Sequence, residues 1–338
     1  MGQARKPYLV SKPFQYLVVP DIMKNLNILV TGGAGFIGSN MCEHLLGENN
    51  VTAIDNFSNV DDRYIRGYYG RKDFHFLNLD LTKDEIPREH YDAVIHLAAN
   101  SDVKHGSQNT RIDLDNNVIA TYNILEYCRN NDIREILFAS SSTVYGEAAI
   151  LPTPENYGPY LPISSYGASK MACEGFISAY SHYYGIRGTI FRFANIVGRN
   201  STHGVIFDFI HKLQKNPKEL EILGDGTQRK SYLHVSDCVG SMIYIHEKSR
   251  KTDIFNLGNP ETTSVVRIAD IVTAKMNLKG VKYIFTGGID GRGWRGDVKV
   301  AQLDIAKLLS FGWKNRYNSD QAVEISVDET LQQMGLKK

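Results

Sequence analysis

The sequence predicts an α/β fold, a doubly wound parallel sheet joined to a smaller, discontinuous α/β domain. Three observations carry that expectation. Short apolar runs at 26–30, 51–54, 74–78, 92–96, 135–139 and 188–193 alternate with segments of helical or loop character. Runs of that kind suit strands buried on both faces, in a parallel sheet covered by helices. The first run enters a glycine-rich turn that leads into a helix, and after Gly198 the alternation breaks down.

The elements follow in order. Leu26-Asn27-Ile28-Leu29-Val30 runs into Thr31-Gly32-Gly33-Ala34-Gly35-Phe36-Ile37-Gly38, and a helix-like segment covers Phe36 to Leu46. Gly33, Gly35 and Gly38 fit G-x-G-x-x-G, while Gly32, Gly35 and Gly38 fit G-x-x-G-x-x-G. Glycines permit the tight turn and let backbone N–H groups approach a pyrophosphate at the helix N-terminus. Strand, glycines and helix in that order are far more specific than the glycines alone, and they make the sheet a Rossmann type. The second run, Val51-Thr52-Ala53-Ile54, ends in Asp55. Its place fits the ~20-residue spacing of the acid that hydrogen-bonds an adenosine ribose. A carboxylate there repels the 2′-phosphate of NADP, and no Lys or Arg occurs in Asn56-Phe57-Ser58-Asn59-Val60. The expected cofactor is therefore NAD(H) rather than NADP(H).

Downstream, Phe138-Ala139-Ser140-Ser141-Ser142-Thr143-Val144-Tyr145-Gly146 lies at the C-terminal end of a strand. Open α/β sheets bind their ligands at such ends. A helix is expected to start near Ser164, and it carries Tyr166 and Lys170 four residues apart. Residues at that spacing share a helix face. An ammonium close to a phenol favours the phenolate, which is one way to turn a group of pKa near 10 into a base at neutral pH. In a chain of 19 tyrosines the spacing alone would read as a solvated helix face. The glycine turn and the serine run make the catalytic reading the stronger one.

Together these residues resemble the extended short-chain dehydrogenase/reductase superfamily, in its nucleotide-sugar epimerase/dehydratase branch, closest to the UDP-glucose 4-epimerases. The resemblance spans about Leu26 to about Asn315. It implies a cofactor set of Gly32, Gly35, Phe36, Ile37, Gly38, Asp55, Asn56 and Ser58, with Asp80-Leu81 at the adenine. Leu97-Ala98-Ala99 after His96 and Asn117, with Thr121 on the same helix, complete that set alongside Tyr166 and Lys170. It also implies a substrate set of Ser141, Ser142, Thr143, Asn195 and Val205. The diphosphate clamp resembles Gly224 to Asp237, and the family's arginine there aligns with Lys230, beside Arg229. The family's Arg-Pro-Gly-Asp motif is represented by Gly293-Trp294-Arg295-Gly296-Asp297, with Arg292 or Arg295 left to supply the charge. Four residues beyond Asp297 stands Ala301, where a bulky residue excludes N-acetyl sugars in such enzymes and a small one admits them.

The implied reaction is NAD-dependent epimerisation at C4 of a UDP-hexose through a transient 4-keto sugar. Tyr166 acts as base, Ser141 hydrogen-bonds the same oxygen and Lys170 holds the nicotinamide ribose. The 4,6-dehydratases of the branch carry an Asp-Glu pair where this chain has Ser142-Thr143. A 4,6-dehydratase, a decarboxylase, a keto-sugar reductase and a non-catalytic dinucleotide sensor are the alternatives. The resemblance further implies a homodimer through the helices Asp115 to Arg129 and Ser164 to Tyr183. These should be the longest of the first domain, with Ile124, Leu125 and Phe176 either on their outer faces or packed as core against the sheet.

Composition limits the rest. A chain of 338 residues with net charge +1 gives no cause for nucleic-acid or membrane-surface attraction. No apolar run approaches the ~18 residues that a membrane span needs. Cys42, Cys128, Cys173 and Cys238 are widely spaced, without C-x-x-C or a Cys/His cluster, so no metal site and a reducing, cytoplasmic setting are expected. The expected organisation is an N-terminal extension (1–22), an NAD-binding domain (23–198 plus 231–260) and a nucleotide-sugar domain (199–230 plus 261–338).

Overall fold

A computed structural model describes residues 23–287, 293 and 298–337. The N-terminal extension, 1–22, lies outside them. Seven parallel strands form the central sheet: β1 (Asn27–Thr31), β2 (Asn50–Asp55), β3 (Phe74–Asn78), β4 (Ala93–His96), β5 (Glu135–Ser141), β6 (Arg187–Phe193) and β7 (Asp253–Leu257). Their order across the sheet is β3-β2-β1-β4-β5-β6-β7. The chain reverses direction of travel between β1 and β4, which opens a crevice at the strand ends.

The sheet is buried because its residues alternate between two apolar layers. Ile28 and Val30 of β1 join one cluster with Met41 and Cys42 of the Phe36–Leu45 helix and Met242 of the Val235–Lys248 helix. Leu29 joins the other, with Ile124, Leu125 and Ile177. A third cluster packs Ile206, Phe209, Leu220, Ile222, Ile268, Val272 and Val323 together beyond the crevice. Three small pairings lie beside it. Asn195–Val197 runs parallel to Tyr232–His234, and Glu219–Leu223 runs parallel to Lys282–Thr286. Arg229–Lys230 lies between Thr263–Ser264 and Val300–Ala301.

The Ser165–Tyr184 helix begins where Ser164 accepts a hydrogen bond from the Gly167 N–H, and it stops at Gly185, whose φ is +68°. Its expected partner is not one α-helix over Asp115–Arg129. Thr110–Asp113 is α-helical, Leu114–Ile119 is π-helical and Ala120–Asn130 returns to α. The Val235–Lys248 helix, with 14 residues, is longer than the 11-residue Ala120–Asn130 helix. Ile124 and Leu125 are fully buried toward the sheet, not on an outer face, whereas Phe176 is 40% exposed and meets Tyr122 edge-on. Among the described residues no helix is long and apolar enough to cross a membrane.

Candidate active site

Strand register assembles the site. Thr31 pairs with His96, so the glycine turn after β1 lies against Leu97–Ala99. Asp55 pairs with Asn78, which brings the ends of β2 and β3 together near Asp80. Ser141 pairs with Phe193, which sets the serine turn beside Asn195. One cleft of about 1030 Å³ runs along all of these strand ends and on toward the third cluster.

On the cofactor side, Gly32 has φ +69°, and a Cβ on it would stand 2.8 Å from the Ala98 nitrogen. A Cβ on Gly38 would overlap the Gly32 carbonyl oxygen, so strand, turn and helix pack with no room for a side chain. The Phe36–Leu45 helix starts at Gly35 with no side-chain cap and no acid in its first turn. Its N-terminal N–H groups therefore remain available to an anion. Asp55 accepts from the Ala34 N–H at 3.1 Å and the Phe57 N–H at 2.9 Å, which fixes it beside the turn. Burial raises its pKa, and these backbone donors oppose that. Gly32, Gly35, Phe36, Ile37, Gly38, Asp55, Asn56, Ser58, Asp80 and Leu81 all line the cleft, as do Leu97, Ala98 and Ala99. This side fits a dinucleotide.

Asn117 does not line the cleft. It is fully buried, accepts from the Asn100 N–H at 2.8 Å and donates to Ser169 Oγ at 2.8 Å. It lies in the π-helical stretch and ties the loop after β4 to the Ser165–Tyr184 helix. A second internal tie, missed in the sequence, joins Thr31 Oγ1 to His96 Nδ1 at 2.6 Å and His96 Nε2 to Thr121 Oγ1 at 3.0 Å. Burial pushes the His96 imidazole down to about 3, so it stays neutral. Thr31 Oγ1 also accepts from the Leu97 and Ala98 N–H groups. Its own proton therefore goes to His96 Nδ1, and Nε2 donates onward to Thr121.

At the centre, Ser141, Ser142, Thr143 and Tyr166 line the cleft. Ser141 Oγ accepts from Thr143 Oγ1 at 2.9 Å and from the Thr143 N–H at 3.2 Å. Burial pushes the Tyr166 phenol up to about 12, against a hydrogen bond from Ser141 that lowers it. Lys170 sits behind Tyr166 and is buried. Its ammonium donates to the Ala139 carbonyl at 2.8 Å and stands 5.9 Å from the Tyr166 ring centroid. Burial brings it down to about 8, and the nearby Cys173, Glu174 and Asp113 oppose that fall. The shared helix face is real, but the ammonium's closest partner is the strand-end carbonyl rather than the phenol. In this arrangement Ser141 is the group that draws the phenol downward.

On the far side, Asn195, Val205, Lys230 and Ala301 line the cleft. Arg229 does not; it is exposed and donates to Thr262 Oγ1 at 3.2 Å. The two neighbours alternate on a short strand, so only one of them can face inward. Arg292 and Asp297 lie outside the described residues. The sequence reading missed Thr202, His203 and Lys212, which also line the cleft, together with Gln228 of the clamp segment. Gly198 and Gly204, with φ of +142° and +104°, bracket the turn that carries Thr202 and His203, and that spacing was the available signal.

The family model described as NAD dependent epimerase/dehydratase matches residues 28–258. A Methanocaldococcus jannaschii protein described as a candidate UDP-glucose 4-epimerase is 35% identical over 308 residues, 88% of this chain and 96% of its own. A solved UDP-galactose 4-epimerase is similar at 36% identity and a TM-score of 0.81, across 91% of this chain and 100% of that one. A UDP-N-acetylglucosamine 4-epimerase from Methanobrevibacter ruminantium M1, solved with UDP-N-acetylmuramic acid, is similar at 27% identity and a TM-score of 0.83. That likeness covers 92% of this chain and 100% of the other.

Proposed function

The chain belongs to the NAD-dependent epimerase/dehydratase family, and from that premise we propose that it epimerises a UDP-hexose at C4 through a transient 4-keto sugar. One observation carries the reading. Beside Tyr166 the cleft presents Ser141, Ser142 and Thr143, hydroxyls without a carboxylate at any of the three positions. Dehydration needs a separate acid and base at the sugar, whereas epimerisation needs one base that returns its proton.

Tyr166 takes the proton of the C4 hydroxyl, and Ser141 holds the same oxygen. Lys170, anchored on Ala139, fixes the helix face toward the nicotinamide ribose and contributes positive charge behind the phenol. NAD, when bound, supplies the hydride acceptor at C4 and then the donor to the opposite face of the keto sugar. The glycine turn and the first turn of the Phe36–Leu45 helix hold its pyrophosphate, and Asp55 holds its adenosine ribose. Lys230 and Asn195 face the substrate diphosphate. On this reading the NAD-binding part comprises 23–198 plus 231–260, and the nucleotide-sugar part comprises the remainder after 198.

Incubation with UDP-, GDP- and dTDP-hexoses, followed by NMR of the products, tests the proposal. The expected product is the C4 epimer of a UDP-hexose with no net change in NADH. Accumulation of a dehydrated keto sugar, release of a pentose, or stoichiometric consumption of NADH would replace epimerisation with a rival reaction. Two copies would pair through the outer faces of the Leu114–Asn130 and Ser165–Tyr184 segments, where Leu114, Tyr122 and Phe176 are exposed. A monomer by sedimentation at micromolar concentration would refute the dimer.

A further inference from the structure

Behind the serine turn lies a buried ion pair. Glu174 accepts from Arg192 Nε at 2.9 Å and from Nη2 at 2.6 Å, a two-pronged contact, and the side chains are 7% and 1% exposed. The same carboxylate accepts from Ser140 Oγ at 2.5 Å. Arg192 also donates to the Glu155 carbonyl at 3.1 Å and stands 4.7 and 4.8 Å from the ring centroids of Tyr145 and Tyr160, which themselves meet at 6.0 Å. Neither charged group lines the cleft.

The placement is specific. Ser140 precedes Ser141, and Tyr145 closes the short helical turn Ser142–Tyr145 that follows it. Glu174 lies one helical turn beyond Lys170 on the helix that presents Tyr166. The pair therefore grips the serine turn from both ends and fastens it to the helix carrying the other two catalytic groups. Burying two charges costs several kcal/mol each, and a well-packed apolar pair is often as stable. Stability alone is a weak reason to find one here.

We propose that Glu174 and Arg192 are positioning residues for the Ser141–Tyr166–Lys170 site: they hold the serine turn against the Tyr166 helix, and Glu174 places a buried carboxylate one helical turn from Lys170. The inference rests on the hydride-transfer reading of that site. The groups around Lys170 support it. Its own helix offers Tyr166, Cys173 and Glu174; β5 offers the Ala139 carbonyl and the Phe138 ring; β4 offers the neutral His96; the Thr110–Asp113 helix offers Asp113. Arg192, from β6, is paired with Glu174. Removing the Glu174 charge leaves desolvation of Lys170 less opposed, so its pKa falls. The ammonium is then lost at lower pH, and the alkaline limb of the rate moves down with it.

The test titrates Lys170 directly, in NAD-bound protein labelled with ¹³C at lysine Cε, with Lys170→Met used to assign the signal. Glu174→Gln keeps the shape and should lower the Lys170 midpoint by ~1 pH unit. The alkaline limb of kcat on the UDP-hexose should shift equally, while KM stays within about two-fold. Arg192→Lys keeps the charge but loses the fork, so it should cut kcat about ten-fold or more with the limb unmoved. A double Glu174→Met, Arg192→Met variant guards against failure to fold, since it removes both buried charges together. Full kcat in that double variant, or an unchanged Lys170 midpoint in Glu174→Gln, would reduce the pair to a packing element. The NMR titration reads the protein without turnover, so absence of epimerisation in the unaltered enzyme would overturn the functional reading and leave this one measurable.

Discussion

The two ends of the cleft are built differently. The cofactor end is made by consecutive strand ends of one sheet, and each of its residues follows a buried apolar run within a few positions. The substrate end is made by short segments far apart in the chain: Asn195, Thr202, Lys230 and Ala301 line the cleft together, with Asn195 and Lys230 held by short strand pairings beside a third apolar cluster. At the first end the backbone sets the chemistry. A turn without side-chain space, an uncapped helix and a strand-end acid leave few alternatives. At the second end side chains set the chemistry, and a change of one residue in register changes which of them faces the ligand.

The largest expected effect tests the point where the two ends meet. Tyr166→Phe removes the ionisable hydroxyl and little else, so kcat should fall at least ~10²-fold while NAD and nucleotide-sugar binding persist. Isothermal titration alongside steady-state rates separates the two, and near-normal turnover would remove Tyr166 from the mechanism. The same site fixes the sign of a pH profile. With the phenol up at about 12 and the ammonium down at about 8, phenolate grows with pH while Lys170 loses its proton. The rate should therefore climb from pH 6 toward 8 and then level or fall. A rate that drops steadily over that lower range would contradict the assignment.

Much of the first end was legible in the sequence, because spacing records backbone geometry. The strand runs form the parallel sheet, and the Gly32–Gly38 turn and Asp55 lie at its strand ends along the cleft. Asn117 was legible as a residue but not as a contact. It is buried within a π-helical turn, and nothing in a periodicity of 3.6 announces such a turn. The spacing placed Lys170 beside Tyr166, but it could not reveal a carbonyl such as that of Ala139 coming from another strand to take the ammonium's hydrogen bond. The buried Glu174–Arg192 pair joins a helix to a strand 18 residues on in sequence, and no helix or strand spacing announces such a contact.

Asp55→Ala sharpens the comparison at the cofactor end. It removes both the ribose acceptor and the charge that repels a 2′-phosphate. NAD binding should weaken about ten-fold, in line with ~1.5 kcal/mol for a hydrogen bond to a charged group. NADP binding should change less, so the gap between the cofactors narrows. Equal binding of both cofactors by the unaltered protein would show that Asp55 does not select.

Ala301→Tyr probes the substrate end. Ala301 lines the cleft and pairs with Lys230 across two short parallel strands, so a large side chain there would crowd whatever sits beside the lysine. Overpacking costs ~1–3 kcal/mol. The variant should lower kcat/KM for UDP-N-acetylglucosamine by roughly ten-fold and leave UDP-glucose nearly untouched. Equal losses on both sugars, or none on either, would take Ala301 out of the sugar pocket.

The smallest effect is the most diagnostic of register. Arg229 and Lys230 are adjacent cations, and the guanidinium is chemically the better diphosphate ligand, since it can make a two-pronged contact and an ammonium cannot. Strand geometry decides against chemistry: Arg229 pairs with Val300 and turns its side chain to Thr262, while Lys230 pairs with Ala301 and faces the cleft. Lys230→Ala should therefore raise the Kd for UDP about ten-fold, while Arg229→Ala should stay within about two-fold, as exposed substitutions usually do. Added salt should erase much of the Lys230 effect, because a single ammonium in an open cleft is screened. The reverse ranking would mean that this strand shifts by one residue when ligand binds. In that case every side chain on the segment would change face, and the substrate end of the cleft would have to be drawn again from Arg229 outward.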